Sequence, residues 1–427
     1  MRLARASARS FADHRTHPTL ADFVQTLIAT ISVGSLYALL ALGYTMVYGV
    51  LKFINFAHSD IFVLGAWTSF TVATVVLTAL GVSAEQAPLW VGPVTLLSAI
   101  LVCGGVGFCI ERFAYRPLRR APRLNVLITA IGVSLLLQNA GQIPGAVLAR
   151  DPQGTPVATL PFGASPRSMP LLLPDGVLNE SLVAQGTAQG GSRRGTIVLD
   201  QAVEFERDVP YRVAVVREVD GKAKRESLNL IADEGRHEAG TEFGTQPRRS
   251  PDELHGVRYK LWRAPTVPIR LVDVLVTCSA LVLMVGLHLL VFHTKTGTAM
   301  RAISHSIDTA ALMGININRV ISLTFLLGTT LAACAAFLYP MKYPGLNQTA
   351  HGIWVLLGLK AFAAAVVGGI GNIRGAVLGG FLIAAIEFFG AKYIEPALQD
   401  IYVFGVLILV LLVRPSGLLG KPTREKV

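Results

Sequence analysis

Charge is scarce in this chain: Asp, Glu, Lys and Arg make up 15% of its 427 residues, where a soluble globular domain carries about 25%. With 52% hydrophobic residues and a mean hydropathy of +0.53, the composition excludes a soluble domain and fits a polytopic membrane protein. Cysteine is also scarce. Cys103, Cys109, Cys278 and Cys334 all fall in apolar runs, where a thiol packs as a small residue, so neither a disulfide framework nor a metal site is implied. No Gly-x-x-x-x-Gly-Lys-Ser/Thr phosphate loop occurs. The nearest fragment, Gly417 to Pro422, has the wrong spacing and a proline where the hydroxyl belongs, which excludes ATP binding in that mode. No Ser/His/Asp, His-Glu-x-x-His or Cys/His arrangement has workable spacing, which weighs against a protease or metalloenzyme. No cofactor of its own and no nucleic-acid partner are expected.

What the chain has is long apolar runs. A bilayer core of ~30 Å needs roughly 20 helical residues, and 61–82, 89–110, 124–148, 269–292 and 320–340 reach that length. The shorter or glycine-richer runs 353–371, 375–391 and 397–413 are further candidates. The expected fold is all-α and polytopic, with about 8–10 transmembrane helices, some discontinuous, and a small β-rich insert outside the membrane. Arg112, Arg116, Arg119, Arg120 and Arg123 crowd one short loop, which the excess of positive charge on cytoplasmic loops places inside. Lys295, Arg301 and Arg319 share that side, since two spans separate the loops. The tail 416–427, with Lys421, Arg424 and Lys426, follows inside after four more crossings. Residues 1–22, with Arg2, Arg5, Arg9 and Arg15, read as a cytoplasmic tail, yet one span over 23–51 would put them on the wrong side. At 1.5 Å per residue this run is about 43 Å long, so two partial helices or a re-entrant element broken at Gly34, Gly43 or Gly49 are expected.

Between the halves 23–149 and 267–415 lies an insert, 150–266, expected on the periplasmic side. Residues 150–263 carry 16 basic and 16 acidic residues, so the net charge of +11 belongs to the rest of the chain. Residues 150–192, rich in Pro, Gly and Ser, read as linker. From Gly195 to 262, alternating apolar and polar residues and the turn signal Asp220-Gly221 predict strands of a small sheet; a partly disordered loop is the other reading. No ligand or catalytic constellation stands out there.

Four places in the membrane halves carry candidate function. The first is Arg301–Arg319, RAISHSIDTAALMGININR, a polar, Ala- and Gly-containing segment within the inside loop 293–319, where a separate ATPase could push. In the second, Asn55, His58 and Asp60 put polar groups near membrane depth, where they are costly unless buried in protein or facing a cavity. They read either as a discontinuous helix on a transport path or as a cap by Asn55 or Ser59 on the helix that follows. The third is the glycine-dense run around Gly369, Gly371 and Asn372, read as a close-approach element of the path or as a tight helical hairpin with Arg374 at the cytoplasmic surface. Finally, Glu387 is the acid within an apolar run. It could touch substrate, pair with a partner subunit, or be held by a Tyr or Asn of a neighbouring helix. His288 reads as a packed histidine.

The segments 34–67 (GSLYALLALGYTMVYGVLKFINFAHSDIFVLGAW), 110–120, 299–325, 360–387 and 407–427 closely resemble the inner-membrane permeases of bacterial branched-chain amino acid ABC importers. The resemblance covers nearly all of the chain outside about 150–265. It implies a second related permease subunit, two cytoplasmic ATPases that bind ATP, a periplasmic substrate-binding protein, and import by alternating access. It also implies that Ser306, Asp308, Ala310, Ala311 and Gly314 form the ATPase-coupling segment, with Thr309 departing from the family's Glu-Ala-Ala…Gly pattern. The family usually has only a short external loop where the insert stands. Urea and short-amide importers use very similar permeases, and an ion-coupled secondary transporter is the alternative from another class.

Overall fold

The computed structural model describes residues 19–420, apart from 83–86, 120, 152, 171, 174–175, 193–195, 207–210, 220–221, 232–234, 247–253 and 255–256. Two compact units emerge, one of residues 29–176 and 271–427, the other of 177–270 with the start of the chain.

The larger unit is helical. In chain order its helices are α1 Leu20–Leu51, which begins in the other unit, α2 His58–Leu80, α3 Val91–Cys109 prolonged by a π-helical turn Ile110–Tyr115, and α4 Arg123–Ala140. After the insert come α5 Leu271–His293, the short α6 Lys295–His305 and α7 Ile307–Leu312, then α8 Ile317–Lys342, α9 Gly352–Gly368, α10 Ile373–Tyr393 and α11 Gln399–Val413. Seven of these segments are long and apolar enough to cross a membrane, and α4 and α9 are shorter apolar helices. A hairpin, β1 Pro144–Arg150 with β2 Pro156–Phe162, follows α4, and β3 Arg167–Ser168 pairs with β12 Gly345–Leu346.

α1 departs from expectation. It is one unbroken helix of 32 residues, about 48 Å long. The glycines read as break points are contact points instead. A side chain at Gly43 would run into the His58 ring, one at Gly34 into Phe381, and Gly49 faces Gly371. Each missing side chain lets a neighbour approach while the helix hydrogen bonds continue. Asn55 and Phe53 both meet Tyr115, so the Leu51 end of α1 lies with the basic loop and the Leu20 end lies at the opposite end. The expected cytoplasmic tail up to residue 18, the C-terminal residues 421–427 and Arg120 lie outside the described residues.

The smaller unit is a closed barrel in the order β10-β5-β4-β11-β7-β8, with β10 returning to β8. Its strands are β4 Ser181–Gly190, β5 Thr196–Val198, β7 Tyr211–Val219, β8 Lys222–Ile231, β10 Glu242–Gln246 and β11 Val257–Arg263. β6 Val203–Phe205 pairs separately with β9 Gly235–His237. Side chains alternate across a strand, and β11 shows it, with Tyr259 and Leu261 buried while Arg258 and Lys260 are exposed. Closure is completed by short pairings, β4 with β5 at Gln189–Gly190 and β10 with β8 at Gly244–Gln246. The turn signal Asp220-Gly221 lies outside the described residues, between β7 and β8, whose pairing resumes at Val219↔Lys222.

Strands begin before residue 195. The stretch 150–192, read as linker, contains β2, β3 and β4. In β4 the buried residues are Ala184 and Ala188, small side chains that mask the alternation in sequence. Gly186 is small for a further reason: a Cβ there would strike the Asp200 carboxylate. That carboxylate accepts from Thr187 N at 2.8 Å and Tyr259 Oη at 3.0 Å. Burial and the Asp200 bond together hold the Tyr259 hydroxyl well above the ordinary phenol range.

Because Ser181 pairs with Arg263, the two ends of the barrel segment lie side by side, about 5 Å apart as in any antiparallel pair. Replacing 182–262 by a short Gly/Ser linker should leave a membrane-inserted, monodisperse helical unit in detergent. Aggregation of that variant would show that the helices need the barrel to fold.

Candidate functional site

The segment expected to couple to an ATPase is built from caps. Ser306, with extended backbone, closes α6 and opens α7, its hydroxyl accepting from Thr309 N, which satisfies one of the first-turn donors. Asp308 sits in that first turn, where a negative charge suits the helix dipole. α7 stops at Gly314, whose φ of 79° is a left-handed value that favours glycine. Gly314 N donates to Ala311 O and Ile315 N to Ala310 O, the paired bonds of a Schellman stop. Asn316 then caps α8 by accepting from Arg319 N at 3.1 Å. Ala310 is buried, whereas Ala311 and Gly314 are exposed. Sequence reasoning missed the neighbours of this cluster. Leu312 and Met313 are 88% and 79% exposed, an apolar pair held out at the end of α7.

The same end gathers the basic loop. Arg119 donates to Asn318 Oδ1 at 2.8 Å and pairs with Glu111, which is fully buried and also accepts from Ser322 Oγ at 2.6 Å. This cluster ties the end of α3 to α8 just beyond the coupling segment. Glu111 was not singled out, although an acid amid IERFAYRPLRR is a readable signal.

Asn55, His58 and Asp60 are brought together where the chain re-enters. His58, the first residue of α2, lies against Gly43, eight residues inward from the end of α1, or about 12 Å. α2 therefore begins alongside the body of α1 rather than beyond its end. Its start has no side-chain cap, so the capping role weighed for Asn55 and Ser59 is not what they do. Asn55 Oδ1 accepts from Tyr115 Oη at 2.6 Å, and Ser59 Oγ donates to Phe56 O. His58 is fully buried with no hydrogen bond at either ring nitrogen, its ring set edge-on to Tyr44 at 4.6 Å. Asp60 is 6% exposed, and its Oδ1 accepts from Gln138 Nε2 at 2.8 Å.

Two cavities flank this cluster. One of about 200 Å³ is lined by Asp60, Val63, Leu137, Gln138, Phe162 and Thr349, among others. A second of about 180 Å³ lies beside Tyr44, Phe56, Ser59, Ser134, Gln138 and Phe362. Gln138 lines both.

The other candidates stand elsewhere. Gly369 and Gly371, with φ of 109° and 92°, make the tight hairpin between α9 and α10. Asn372 caps α10 through Arg374 N and donates to Leu419 O at 2.8 Å. Arg374 is exposed there. Glu387 sits in a third place. Its Oε2 accepts from Tyr37 Oη at 2.8 Å and its Oε1 from Lys360 Nζ at 2.7 Å, while Lys360 also reaches Asp400 at 2.7 Å. Lys360, which the sequence reading passed over, knits α9 to α10 and α11, and Tyr37 adds α1. At the far end Lys342 links Asp273 of α5 to Ser32 of α1. His288 of α5 packs on Phe292 at 4.6 Å. Among the described residues no group of three His, Cys, Asp or Glu is placed to hold a metal ion.

Membrane-length helices, a helix that starts against the body of its predecessor and an exposed, capped segment at the basic end are the build of a polytopic, multi-pass transport subunit. The family model for the permease component of branched-chain amino acid transport systems matches residues 26–411, and the chain belongs to that family. It is thus an inner-membrane permease component rather than an ATP-hydrolysing one. Over 96% of its length the chain is 33% identical to the high-affinity branched-chain amino acid transport system permease protein BraD of Pseudomonas aeruginosa, all of which is covered. The corresponding LivH protein of Escherichia coli is 30% identical over 95% of this chain and 98% of its own length. A fructose import permease of Bifidobacterium longum is 30% identical over 31% of this chain and 40% of its own. No solved structure matches.

Removing one partner of a buried ion pair costs about 3–5 kcal/mol because a charge is stranded. Lys360→Met strands the buried Glu387, while the 42% exposed Asp400 can turn to solvent; Glu387→Gln strands no charge, because Lys360 stays paired with Asp400. The lysine variant should therefore lose clearly more thermal stability in detergent. Equal losses would contradict the central place given to Lys360.

Proposed function

We propose that this permease moves leucine, isoleucine or valine inward as one half of the membrane pathway of an ATP-driven importer. A second related permease completes the pathway, two cytoplasmic ATPases supply the force, and a periplasmic binding protein delivers substrate. The observation that carries this reading is the capped α7 segment, which offers Leu312 and Met313 uncovered at the same end as the arginine-rich loop. An apolar pair fully exposed on a short rigid helix is suited to a socket on another protein, and its neighbours Ala311 and Gly314 allow close approach. ATP binding draws the ATPases together, and α6, α7 and the Glu111–Arg119–Ser322 cluster carry that movement into α8 and α3. The helices then rock so that the cavities beside Gln138 open alternately to the two sides. On this assignment the barrel emerges on the periplasmic side.

Leu312→Asp with Met313→Asp changes only exposed side chains and should not disturb the fold. The variant should purify as a normal permease while co-purifying ATPase falls by roughly tenfold or more, as for loss of an interface anchor. Unchanged co-purification would remove α7 from the coupling contact.

A further inference from the structure

The cavity of about 200 Å³ beside α2 has an unusual make-up. Its walls are the side chains of Val63, Leu64, Leu137, Leu160 and Phe162, and its one charged residue is Asp60. Only half of that carboxylate is satisfied. Oδ1 accepts from Gln138 Nε2, which also contacts Ser134 Oγ at 3.1 Å, and the Ser134 hydroxyl bears on the carboxylate as well, while Oδ2 is buried and has no hydrogen-bond partner. Thr349, the cavity's hydroxyl, is engaged with Gln138 O at 2.7 Å. No Lys or Arg lines the cavity to neutralise the acid. A buried carboxylate with an unmet oxygen is costly, and elsewhere in this unit the chain meets that cost with Lys342, Lys360 or Arg119. Here it supplies no cation.

We propose that this cavity is a substrate subsite in which Asp60 receives the α-ammonium group of an aliphatic amino acid and the surrounding side chains hold its branched hydrocarbon. The inference rests on the reading of the chain as a branched-chain amino acid permease and adds where the substrate pauses and which of its groups is read. The ammonium supplies the cation and the N–H donors that Asp60 lacks. The aliphatic and aromatic walls offer no hydrogen bonds to a polar side chain, so polar amino acids lose solvation without replacement. The substrate carboxylate meets no cation here and stays hydrated at the cavity's mouth. Blocking the carboxylate is therefore tolerated, whereas blocking the amine is not, and a neutral solute such as urea can donate hydrogen bonds to Asp60 but brings no cation. Leu137, Gln138, Ala140 and Gly141 lie near the end of α4 farther from the basic loop, the side from which an imported solute arrives.

Two arms test this with the complete importer in proteoliposomes. First, wild-type uptake of radiolabelled leucine driven by ATP and the binding protein tests the underlying reading; no uptake of any branched-chain amino acid would overturn that reading and the subsite with it. Given uptake, a diazirine analogue of leucine photolysed on the wild-type importer should label peptides containing Val63–Leu64 or Leu137–Phe162. Leucine and leucine amide should protect against labelling and N-acetyl-leucine should not. Labelling confined to other segments, or equal protection by N-acetyl-leucine, would overturn the subsite while leaving the transport reading intact. Second, Asp60→Asn should reduce labelling and raise the leucine concentration for half-maximal protection roughly tenfold or more, the effect of losing a charged hydrogen bond. Val63→Phe, which fills the cavity and keeps the charge, should do the same. If Asp60→Asn does not assemble, the wild-type labelling pattern and Val63→Phe decide, and unaltered labelling in Val63→Phe would sink the proposal.

Discussion

A carboxylate inside an apolar helix bundle has no water to turn to, so each must find its counter-charge within the protein or in what the protein binds. That constraint organises the helical unit. Glu387 is met by Lys360 and Tyr37, Asp273 by Lys342, and Glu111 by Arg119 and Ser322. Each cluster joins helices far apart in sequence, so together they fix how α1, α3, α5 and α8 to α11 stand to one another. Asp60 is the exception. It keeps one oxygen without a hydrogen bond at the edge of an apolar cavity. On the proposed function, the frame of satisfied acids transmits force while the one unsatisfied acid receives a ligand.

Small side chains set the second constraint. Apolar helices in lipid gain little from merely touching one another, so their contacts depend on close approach of backbones. α1 is the hub of such contacts. Ala38 meets Gly380, Gly34 meets Phe381 and Gly43 meets both His58 and Gly328. The approach at Gly43 is what lets the start of α2 lie against the body of α1 and so places Asp60 beside its cavity.

These two constraints explain how far the sequence could be read. Long apolar runs marked most of the membrane helices, because length and hydropathy depend on composition alone; the run 124–148 overran, since α4 ends at Ala140 and Pro144–Arg150 is the strand β1. The start and stop of α7 rest on Ser306 and Gly314 and the start of α8 on Asn316, local capping roles that the sequence reading did not draw from them. Contacts between distant residues were not legible. Gly34, Gly43 and Gly49 look like breaks when only their own helix is considered and become contact points when Phe381, His58 and Gly371 arrive. Glu387 stood out as an isolated acid, yet its partner Lys360 lay unremarked in the next helix back. β4 was hidden because its buried residues are alanines, which carry too little hydrophobic contrast to show a period of two. The exposure of Leu312 and Met313 depends on where α7 ends up, which no local pattern records.

The proposed function requires α1 to cross the membrane once, with its Leu51 end beside the basic loop and the candidate coupling segment and its Leu20 end on the other side. In a cysteine-free background, single cysteines at Leu20 and Leu312, both strongly exposed, can be probed with a membrane-impermeant maleimide in intact spheroplasts. Labelling at 20 and none at 312 until the membrane is permeabilised is the expected result. Protection of both positions, or labelling of 312 from outside, would mean that α1 does not span as described and that the sidedness of the coupling segment and the Asp60 cavity is wrong.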